Sequence, residues 1–478
     1  MTPRPRTSSA RVERGDWQTP LVLARKVALL TRQLFAFPKV VLEPTCGRGV
    51  FLLAAAEAYP ESQLRGYDID SGYIDEAKAA LESTQAELFV GDFFSLGWEE
   101  HLACLPDPIL VLGNPPWVTS AGIGAIGGVN VPPKTNFKQA CGLDARTGKS
   151  NFDVSEWMIL RLLALLRQRS FCMAMLCKAS VARRVMEHAA KNGWVIFGAT
   201  YRIDAKQHFD AAVNAVLLVV SDAPFLGDRT RGWPVFDSLD AAAPARVMDV
   251  VNFRATSDIE RFASTQYLEG ECVPTWRSGV KHDCATVMEL ERRADTLCNG
   301  LGEAVSVEDD LVFPLLKGSD VANSRPPGKR FVLVPQRALG EDTTPLREVA
   351  PKAWEYLEKH RPELDARKSS IYKGRPPFAM FGIGKYSFCP YKIAICGLYK
   401  RIRFSFVEPY EGRPVLLDDT CYFLPFDDRD EAQEAYQALC GDLARSFFEA
   451  RVFWDEKRPI GKTLLQSLAL DTLVRASA

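Results

Sequence analysis

The chain has 478 residues, of which 47% are hydrophobic and 25% are charged, and its formal net charge is −1. This length suggests about two to four domains. The near-zero charge excludes nucleic-acid binding through the average charge, so any such binding requires local basic patches. The 12 cysteines form no Cys-x-x-Cys pair and no cluster with histidine, so we expect neither a metal site nor a disulfide framework.

Signals for membrane insertion and for export are missing from the sequence. No apolar run approaches the length of a membrane-spanning helix, and residues 1–14 are polar and arginine-rich, without the apolar core of a signal peptide. A chain without a disulfide framework is typical of the reducing cytosol. We therefore predict a cytoplasmic protein that has no membrane contact, with a disordered arm over residues 1–14.

An amphipathic helix is predicted over residues 21–35, directly after the arm. Asp16 or Thr19 is suited to cap this helix, and Pro20 is suited to its first turn.

A strand at 40–42 and a helix at 52–59 enclose the loop Glu43-Pro44-Thr45-Cys46-Gly47-Arg48-Gly49. A strand, a glycine-containing loop and a helix are typical of a nucleotide-binding turn, although this loop is not the Gly-x-Gly-x-x-Gly of dinucleotide-binding proteins. Glu43 and the loop amides would suit a ligand with an ammonium and a carboxylate group. An unrelated strand–helix turn is the alternative.

Two further predicted strands each end in an acidic residue. The strand at 63–67 runs into Asp68-Ile69-Asp70, and an acidic residue in this position of a parallel unit accepts hydrogen bonds from ribose hydroxyls. Asp70 is suited to cap the helix predicted at 73–81. The strand at 88–90 ends in Gly91-Asp92-Phe93-Phe94, which offers a carboxylate and a ring to an adenine group.

The strand at 109–112 breaks into Gly113-Asn114-Pro115-Pro116-Trp117. Two successive prolines cannot continue a central strand, so the chain turns sharply where open α/β sheets place their ligand crevices. The Asn114 side chain and the proline carbonyls can accept two hydrogen bonds from an amino group, and Trp117 can stack on a planar ring. A Pro-Pro turn with a tryptophan packed beneath it is the structural alternative.

The rest of the amino-terminal half alternates between helical and strand patterns. Residues 118–150 form a long, glycine-rich loop whose basic residues include Lys134 and Lys149, which suits either contact with nucleic acid or a flexible flap. A helix is predicted at 151–166, and strands are predicted at 170–177, 195–203 and 215–220.

The pattern weakens after residue 225, and we predict a linker over 226–270. Short β-like runs then resume at 313–316, 330–334, 393–396 and 403–407, with helices near 351–360 and 431–451.

Residues 366–403 contain no aspartate or glutamate but many aromatic and basic residues. Cations neutralise phosphates and position a duplex, while aromatic side chains contact bases. A solvated basic face is the alternative, but an acid-free run of 38 residues in a near-neutral chain favours nucleic acid. The cations that we expect to bind it are Arg367, Lys368, Lys373, Arg375, Lys385, Lys400, Arg401 and Arg403.

The order of these motifs resembles one known family. Gln18-Thr19-Pro20 is followed by Glu43-Pro44-x-Cys46-Gly47-x-Gly, by Asp68-x-Asp, by Gly-Asp92-Phe93 and by Asn114-Pro115-Pro116-Trp117. This order resembles the gamma class of DNA adenine-N6 methyltransferases, the TaqI-like group of restriction-modification systems. The likeness covers residues 14–222, and Trp117 stands where the family usually has tyrosine.

The resemblance implies a Rossmann-like, S-adenosylmethionine-dependent methyltransferase domain of α/β class at 15–225 and a mixed α+β target-recognition domain at 271–478. It implies that a flipped-out adenine of double-stranded DNA is bound and methylated at N6. The residues implied at the adenine are Asn114, Pro115, Pro116, Trp117 and Phe209. Those implied at S-adenosylmethionine are Thr19, Pro20, Glu43, Pro44, Cys46, Gly47, Asp68, Ile69, Asp92, Phe93 and Asn114.

Other functions remain open at this stage. RNA and protein-glutamine methyltransferases also use Asn-Pro-Pro followed by an aromatic residue, and a non-catalytic DNA-binding subunit with this fold is a further alternative. No convincing nuclease motif occurs in the sequence, so the chain is either an orphan enzyme or the partner of a separate restriction endonuclease. We expect a monomer.

Overall fold

The computed structural model describes residues 18–118, 153–226, 232–294 and 296–477. The predicted arm at 1–14, Asp16, Lys134 and Lys149 lie outside these residues. The chain divides into two units, Met1–Ile259 and Glu260–Ala478.

The described residues of the first unit form one ten-stranded sheet. Its strands are β1 Val40–Glu43, β2 Gln63–Asp68, β3 Glu87–Val90, β4 Ile109–Gly113, β5 Phe171–Lys178, β6 Phe197–Ile203, β7 Ala215–Ser221, β8 Trp233–Phe236, β9 Arg246–Val251 and β10 Arg254–Thr256. They lie in the order β10-β9-β8-β6-β7-β5-β4-β1-β2-β3. Strands β3, β2, β1, β4 and β5 are mutually parallel, whereas β7 runs antiparallel to both β5 and β6.

Continuous apolar runs form the centre of this sheet. Every residue of β1, β4 and β7 is buried, which is typical of strands covered on both faces. Helices connect the strands and pack on the sheet, as parallel strand pairs require. The helices are α1 Leu21–Leu34, α2 Val50–Ala58, α3 Ser71–Ala80, α4 Trp98–Ala103, α5 Val154–Leu166, α6 Ala179–Lys191 and α7 Ala205–Phe209.

The predicted linker at 226–270 is wrong over much of its length, because β8, β9 and β10 occupy 233–256 and extend the sheet. All four residues of β8 are buried. Phe236 stacks on Tyr201 of β6 with ring centroids 4.5 Å apart. A Cβ at Gly198 would lie 2.4 Å from the Trp233 indole, so β8 can pair here only beside a glycine. These contacts come from residues distant in sequence, which a local pattern does not show.

Two smaller sheets form the second unit over its described residues. Their strands are β11 Arg277–Ser278, β12 Glu289–Arg293, β13 Thr296–Asn299, β14 Ala304–Val305, β15 Val312–Leu316, β16 Arg330–Leu333, β17 Tyr391–Cys396, β18 Phe404–Val407, β19 Leu416–Leu417 and β20 Cys421–Phe426. One sheet has the order β14-β13-β12-β16-β15-β19, and the other has the order β11-β20-β17-β18.

The helices of the second unit are mostly short. The helix predicted at 431–451 is two helices, since the chain leaves helical geometry at Gly441 (ψ 168°). No helix of the described residues is long and apolar enough to cross a membrane. The helices are α8 Ile259–Thr265, α9 Ala285–Met288, α10 Gly318–Ala322, α11 Leu346–Val349, α12 Pro351–Lys359, α13 Arg361–Asp365, α14 Arg429–Cys440, α15 Asp442–Glu449, α16 Lys462–Gln466 and α17 Leu470–Ser477.

Strand β17 carries a lysine, Lys392, whose side chain is fully buried. Its Nζ donates to the Cys389 carbonyl at 2.6 Å and lies 5.9 Å from the centre of the Phe423 ring. Burial lowers the pKa of Lys392 to about 8 from its ordinary value of 10.5. The fold therefore disfavours the charged amine.

We expect Lys392→Met to stabilise the protein at neutral pH. The unfolded state binds the proton more tightly, so the destabilising effect of Lys392 is complete below pH 8 and is lost as the pH rises towards 10.5. One pKa unit corresponds to about 1.4 kcal/mol, so the upper limit of the gain is about 3 kcal/mol. Calorimetric unfolding at pH 7 and at pH 9.5 measures it.

The matched control is Lys329→Met, because Lys329 is an exposed lysine of the same unit that pairs with Glu291. A difference between Lys392→Met and wild type that stays the same at both pH values would contradict this account.

Candidate active site

The carboxyl ends of β1, β2 and β4 meet at one edge of the first sheet. Strand β1 lies between the other two and is parallel to both, with Glu43 beside Gly66 of β2 and Leu42 beside Val111 of β4. The residues that follow the three strands are therefore neighbours. The loop after β1, the Asp68-Ile69-Asp70 segment and the Asn114-Pro115-Pro116-Trp117 turn, predicted separately from the sequence, lie together.

Asp68 fixes the loop between β1 and α2. Its Oδ2 accepts a hydrogen bond from the Gly47 amide at 2.8 Å, and its Oδ1 accepts one from the Asp70 amide at 2.9 Å. Gly47 and Gly49 have φ angles of 50° and 74°, in the left-handed region that favours glycine. Asp70 caps α3 through bonds from the Gly72 and Tyr73 amides, as predicted.

Glu43 is a buried carboxylate at the centre of this edge, with 2% of its surface exposed. Burial raises the pKa of Glu43 well above its ordinary value, and the nearby charge of Asp68 adds to the increase. Its Oε2 has no hydrogen-bond partner among the described residues, and the same holds for the buried Thr45 hydroxyl. Unpaired buried polar atoms are costly, so this pair marks a place where polar ligand atoms would be stabilised.

The Asn114 amide is oriented by Thr19. Asn114 Nδ2 donates to Thr19 Oγ1 at 3.2 Å, with the amide nitrogen on the side of Thr19. The prediction that Thr19 is suited to cap α1 is therefore wrong. Pro20 occupies the N-cap position, and no side chain of the described residues caps the helix. The hydroxyl of Thr19 is used at the strand end because the segment before α1 passes beside the β4 turn.

Trp117 and Phe209 pack against each other. Their ring centroids are 5.2 Å apart at an interplanar angle of 71°, and each residue is 6% exposed. Trp117 Nε1 also donates to the Leu176 carbonyl of β5 at 3.3 Å. The structure thus brings together the two aromatic residues that the sequence placed at the target base, although they are 92 positions apart.

The third strand end carries Asp92 and Phe93, which the sequence placed at the cofactor. Asp92 Oδ1 accepts a bond from the Phe94 amide at 3.1 Å, and its side chain is half-buried. Phe93 is 4% exposed and packs on Trp98, with centroids 4.9 Å apart, so it belongs to an aromatic cluster of the core. Ile69, in contrast, is 48% exposed, and its apolar side chain is therefore accessible at the end of β2.

A full-length comparison shows the family. The chain is 42% identical over 472 residues to the type II methyltransferase M.NspV of Nostoc sp., a match that covers 97% of this chain and 98% of that protein. The chain belongs to the type II methyltransferase family. A scan against protein-family models found no match.

A second type II methyltransferase, M.CvrRI of Paramecium bursaria Chlorella virus XZ-6E, is 33% identical over 82 residues, 17% of the chain and 19% of that protein. Among solved structures, the type IIL restriction-modification enzyme MmeI, determined in complex with DNA, matches with a TM-score of 0.53 and 13% identity. That match covers 94% of this methyltransferase and 64% of MmeI. It confirms the predicted Rossmann-like methyltransferase fold with a mixed second domain.

The predicted nucleic-acid-binding cations of the methyltransferase fall into two groups. Arg367 and Arg401 donate to backbone carbonyls: Arg367 to that of Ala379 at 2.8 Å, and Arg401 to that of Ala322. Both therefore hold the fold of the second unit. The other six are exposed and form no ion pair with a carboxylate of the described residues; they are Lys368, Lys373, Arg375, Lys385, Lys400 and Arg403.

Sequence reasoning missed two residues of the methyltransferase site, Lys178 and Asp153. Lys178 Nζ donates to the Trp117 carbonyl at 2.9 Å and pairs with Asp153 Oδ2 at 2.6 Å. The sequence feature that could have pointed to Lys178 is its position as a lysine at the end of the apolar run of β5. Its meaning depends on β5 lying beside β4, which the sequence alone did not show.

Proposed function

We propose that this type II methyltransferase transfers a methyl group from S-adenosylmethionine to the N6 amino group of an adenine in double-stranded DNA. The observation that carries this proposal is the Asn114-Pro115-Pro116-Trp117 turn, which follows β4 beside the buried carboxylate of Glu43 and the loop that Asp68 holds. The motif order supports assignment to the gamma, TaqI-like class.

The residues of this edge fit S-adenosylmethionine. Glu43 Oε2 and the Thr45 hydroxyl, both buried without hydrogen-bond partners among the described residues, suit the polar amino-acid part of that molecule. A cationic ammonium group beside Glu43 would favour the charged carboxylate that burial disfavours. Asp68 and Ile69, at the end of β2, suit the ribose and an adenine ring. When bound, the cofactor supplies an electrophilic methyl group on its sulfonium centre.

The chain contributes by orienting the amine that is methylated. An exocyclic amine is conjugated with its ring and is a poor nucleophile. Asn114 Oδ1 and the Pro115 carbonyl are proposed to accept one hydrogen bond each from its two N–H groups, which draws the nitrogen towards tetrahedral geometry. Because asparagine is neutral, it does not compete as a nucleophile, and catalysis is mostly positioning. The bond from Asn114 to Thr19 would keep the amide oxygen directed at the substrate.

An adenine inside a duplex cannot reach a buried turn, so we propose that it is flipped out of the helix. Flipping costs a few kcal/mol. Stacking on Trp117 and Phe209 would recover about 1–3 kcal/mol for each aromatic contact. The two rings pack edge to face, so the base would have to displace part of this contact.

The second unit, from Glu260 onwards, is proposed to bind the duplex. The six exposed cations of residues 368–403 support this, since cations that have no carboxylate partner are available to phosphates. Arg367 stacks on Tyr372, with the guanidinium carbon 3.8 Å from the ring centre, and Tyr372 donates to the Lys281 carbonyl. These contacts fix the base of the turn that presents Lys373 and Arg375.

The first prediction concerns the reaction itself. Purified protein, tritium-labelled S-adenosylmethionine and unmethylated genomic DNA should yield N6-[3H]methyladenine. Asn114→Ala should lower the rate by about 100-fold or more, because positioning supplies most of the catalysis. Total RNA and a reaction without nucleic acid serve as controls. Label found only in RNA, or only on cytosine, would contradict the proposed substrate.

The second prediction concerns the cofactor. Glu43→Gln keeps the shape of the side chain but removes its charge, so the Kd for S-adenosylmethionine should rise. A hydrogen bond to a charged group is worth about 1.5–3 kcal/mol, which corresponds to about 10–100-fold in Kd by titration calorimetry. Methylthioadenosine, which lacks the amino-acid part, is the matched control ligand. An equal loss of affinity for both ligands would show that Glu43 does not bind the amino-acid part of S-adenosylmethionine.

The third prediction concerns the duplex. Lys373→Ala with Arg375→Ala should weaken binding to all DNA sequences to a similar extent. It should also reduce the slope of log K against log salt concentration by about one for each phosphate that the protein no longer neutralises. Fluorescence anisotropy over a salt series measures the slope. The control pair is Lys329→Ala with Lys359→Ala, exposed lysines of the same unit that already pair with Glu291 and Glu303. Equal slopes for the two pairs of substitutions would show that Lys373 and Arg375 do not contact the phosphates of the duplex.

A further inference from the structure

The turn that carries Asn114 has few backbone donors of its own. Pro115 and Pro116 have no amide hydrogen, so two successive positions cannot donate to a neighbouring strand. The parallel pairing of β4 with β5 ends at Gly113, which lies opposite Met175. Beyond that point, side-chain contacts contribute to the orientation of the turn.

Strand β5 continues alongside the turn and supplies two contacts to its last residue. The Leu176 carbonyl accepts a bond from Trp117 Nε1 at 3.3 Å, and Lys178 Nζ donates to the Trp117 backbone carbonyl at 2.9 Å. The first contact fixes the indole, and the second fixes the main chain. Lys178 is the last residue of β5, so the strand directs its amine to this place.

Asp153 holds the amine of Lys178. Its Oδ2 lies 2.6 Å from Lys178 Nζ, and its side chain is 4% exposed. Its Oδ1 accepts bonds from the amide and the hydroxyl of Ser155, at 3.1 and 2.5 Å. The next residue, Val154, donates its amide to the Val118 carbonyl at 2.8 Å. The start of α5 is thus tied to the end of the turn by an ion pair and by a backbone bond.

We propose that Lys178 and Asp153 form a positioning pair for methyl transfer. Lys178 fixes the Trp117 carbonyl, and through the rigid Pro116–Trp117 segment it fixes the Pro115 carbonyl and the indole relative to Asn114. Neither residue touches the substrate. The inference rests on the proposed function, because the geometry that it controls is that of the amine acceptors.

The ion pair between Lys178 and Asp153 also contacts the β4 turn, through the Trp117 carbonyl, which a purely stabilising ion pair does not need. A surface ion pair of the same length occurs in the same unit between Lys26 and Asp240, at 2.6 Å, with side chains 48% and 71% exposed. It touches no part of the β4 turn. Lys26→Met therefore removes an ion pair without disturbing the site, and it serves as the matched control for Lys178→Met.

The test compares Lys178→Met, Lys178→Arg, the double variant Lys178→Met with Asp153→Asn, and Lys26→Met. The double variant avoids leaving Asp153 buried and unpaired, which by itself could unfold the protein. For each variant, kcat and KM are measured on unmethylated DNA that carries the sequence that the enzyme methylates. The Kd for S-adenosylmethionine is measured by calorimetry. A displacement of about 1 Å in an active site costs about 100-fold in rate.

We expect kcat to fall about 10–100-fold in Lys178→Met and in the double variant, while KM and the cofactor Kd stay within about twofold. Lys178→Arg, which keeps the charge and the donors, should recover most of the rate. If Lys178→Met matches Lys26→Met in kcat, or if the cofactor Kd changes as much as kcat does, the proposal is wrong.

A second readout does not depend on activity. In protein labelled with 5-fluorotryptophan, the 19F resonance of Trp117 is identified by its loss in Trp117→Phe. It should shift or broaden in Lys178→Met and stay in place in Lys178→Arg and Lys26→Met. An unchanged resonance overturns the positioning role. If the wild-type protein methylates no DNA but the Trp117 resonance still shifts in Lys178→Met, the proposed function alone is wrong.

Discussion

The end of strand β4 is the constraint on which the site depends. A fully buried strand reaches Gly113 and is followed by an asparagine and two prolines, so its hydrogen-bond ladder cannot continue. The acceptors that follow are released from the sheet at the edge where the neighbouring strand β1 ends in Glu43. Since Pro115 and Pro116 have no amide hydrogen, the turn is also held by Thr19, which precedes α1, and by two residues of β5, Leu176 and Lys178.

Burial divides the charged groups of the chain into three kinds. Glu43 is buried with an oxygen that has no partner in the described residues, and it lies where a cationic ligand group would satisfy it. Asp153 is buried but paired, and it holds the amine of Lys178. Lys392 is buried without a carboxylate partner in the described residues, and its lowered pKa shows a cost to stability. The same residue classes therefore bind, position or destabilise according to what faces them.

The second unit shows the same division among its cations. Arg367 and Arg401 donate to backbone carbonyls and hold turns in place. Lys373 and Arg375 stand on a turn that Arg367 and Tyr372 anchor from below, and they remain exposed. Affinity for a polyanion needs charges that are accessible and also held in a defined arrangement. Two of the eight predicted cations donate to backbone carbonyls, so a count of basic residues overstates the binding surface.

Periodicity and motif order in the sequence determined the strands of the first unit from β1 to β7, the α/β class, and the Asn114, Glu43 and Asp68 strand ends. Those features are local, because buried runs and proline turns act over a few residues. Only the tertiary structure decided that 233–256 extends the sheet, that Thr19 orients Asn114 instead of capping α1, that Phe93 belongs to the core, and that Lys178 and Asp153 support the turn. Each of these depends on which strands become neighbours, and that adjacency arises from contacts between residues far apart in the chain.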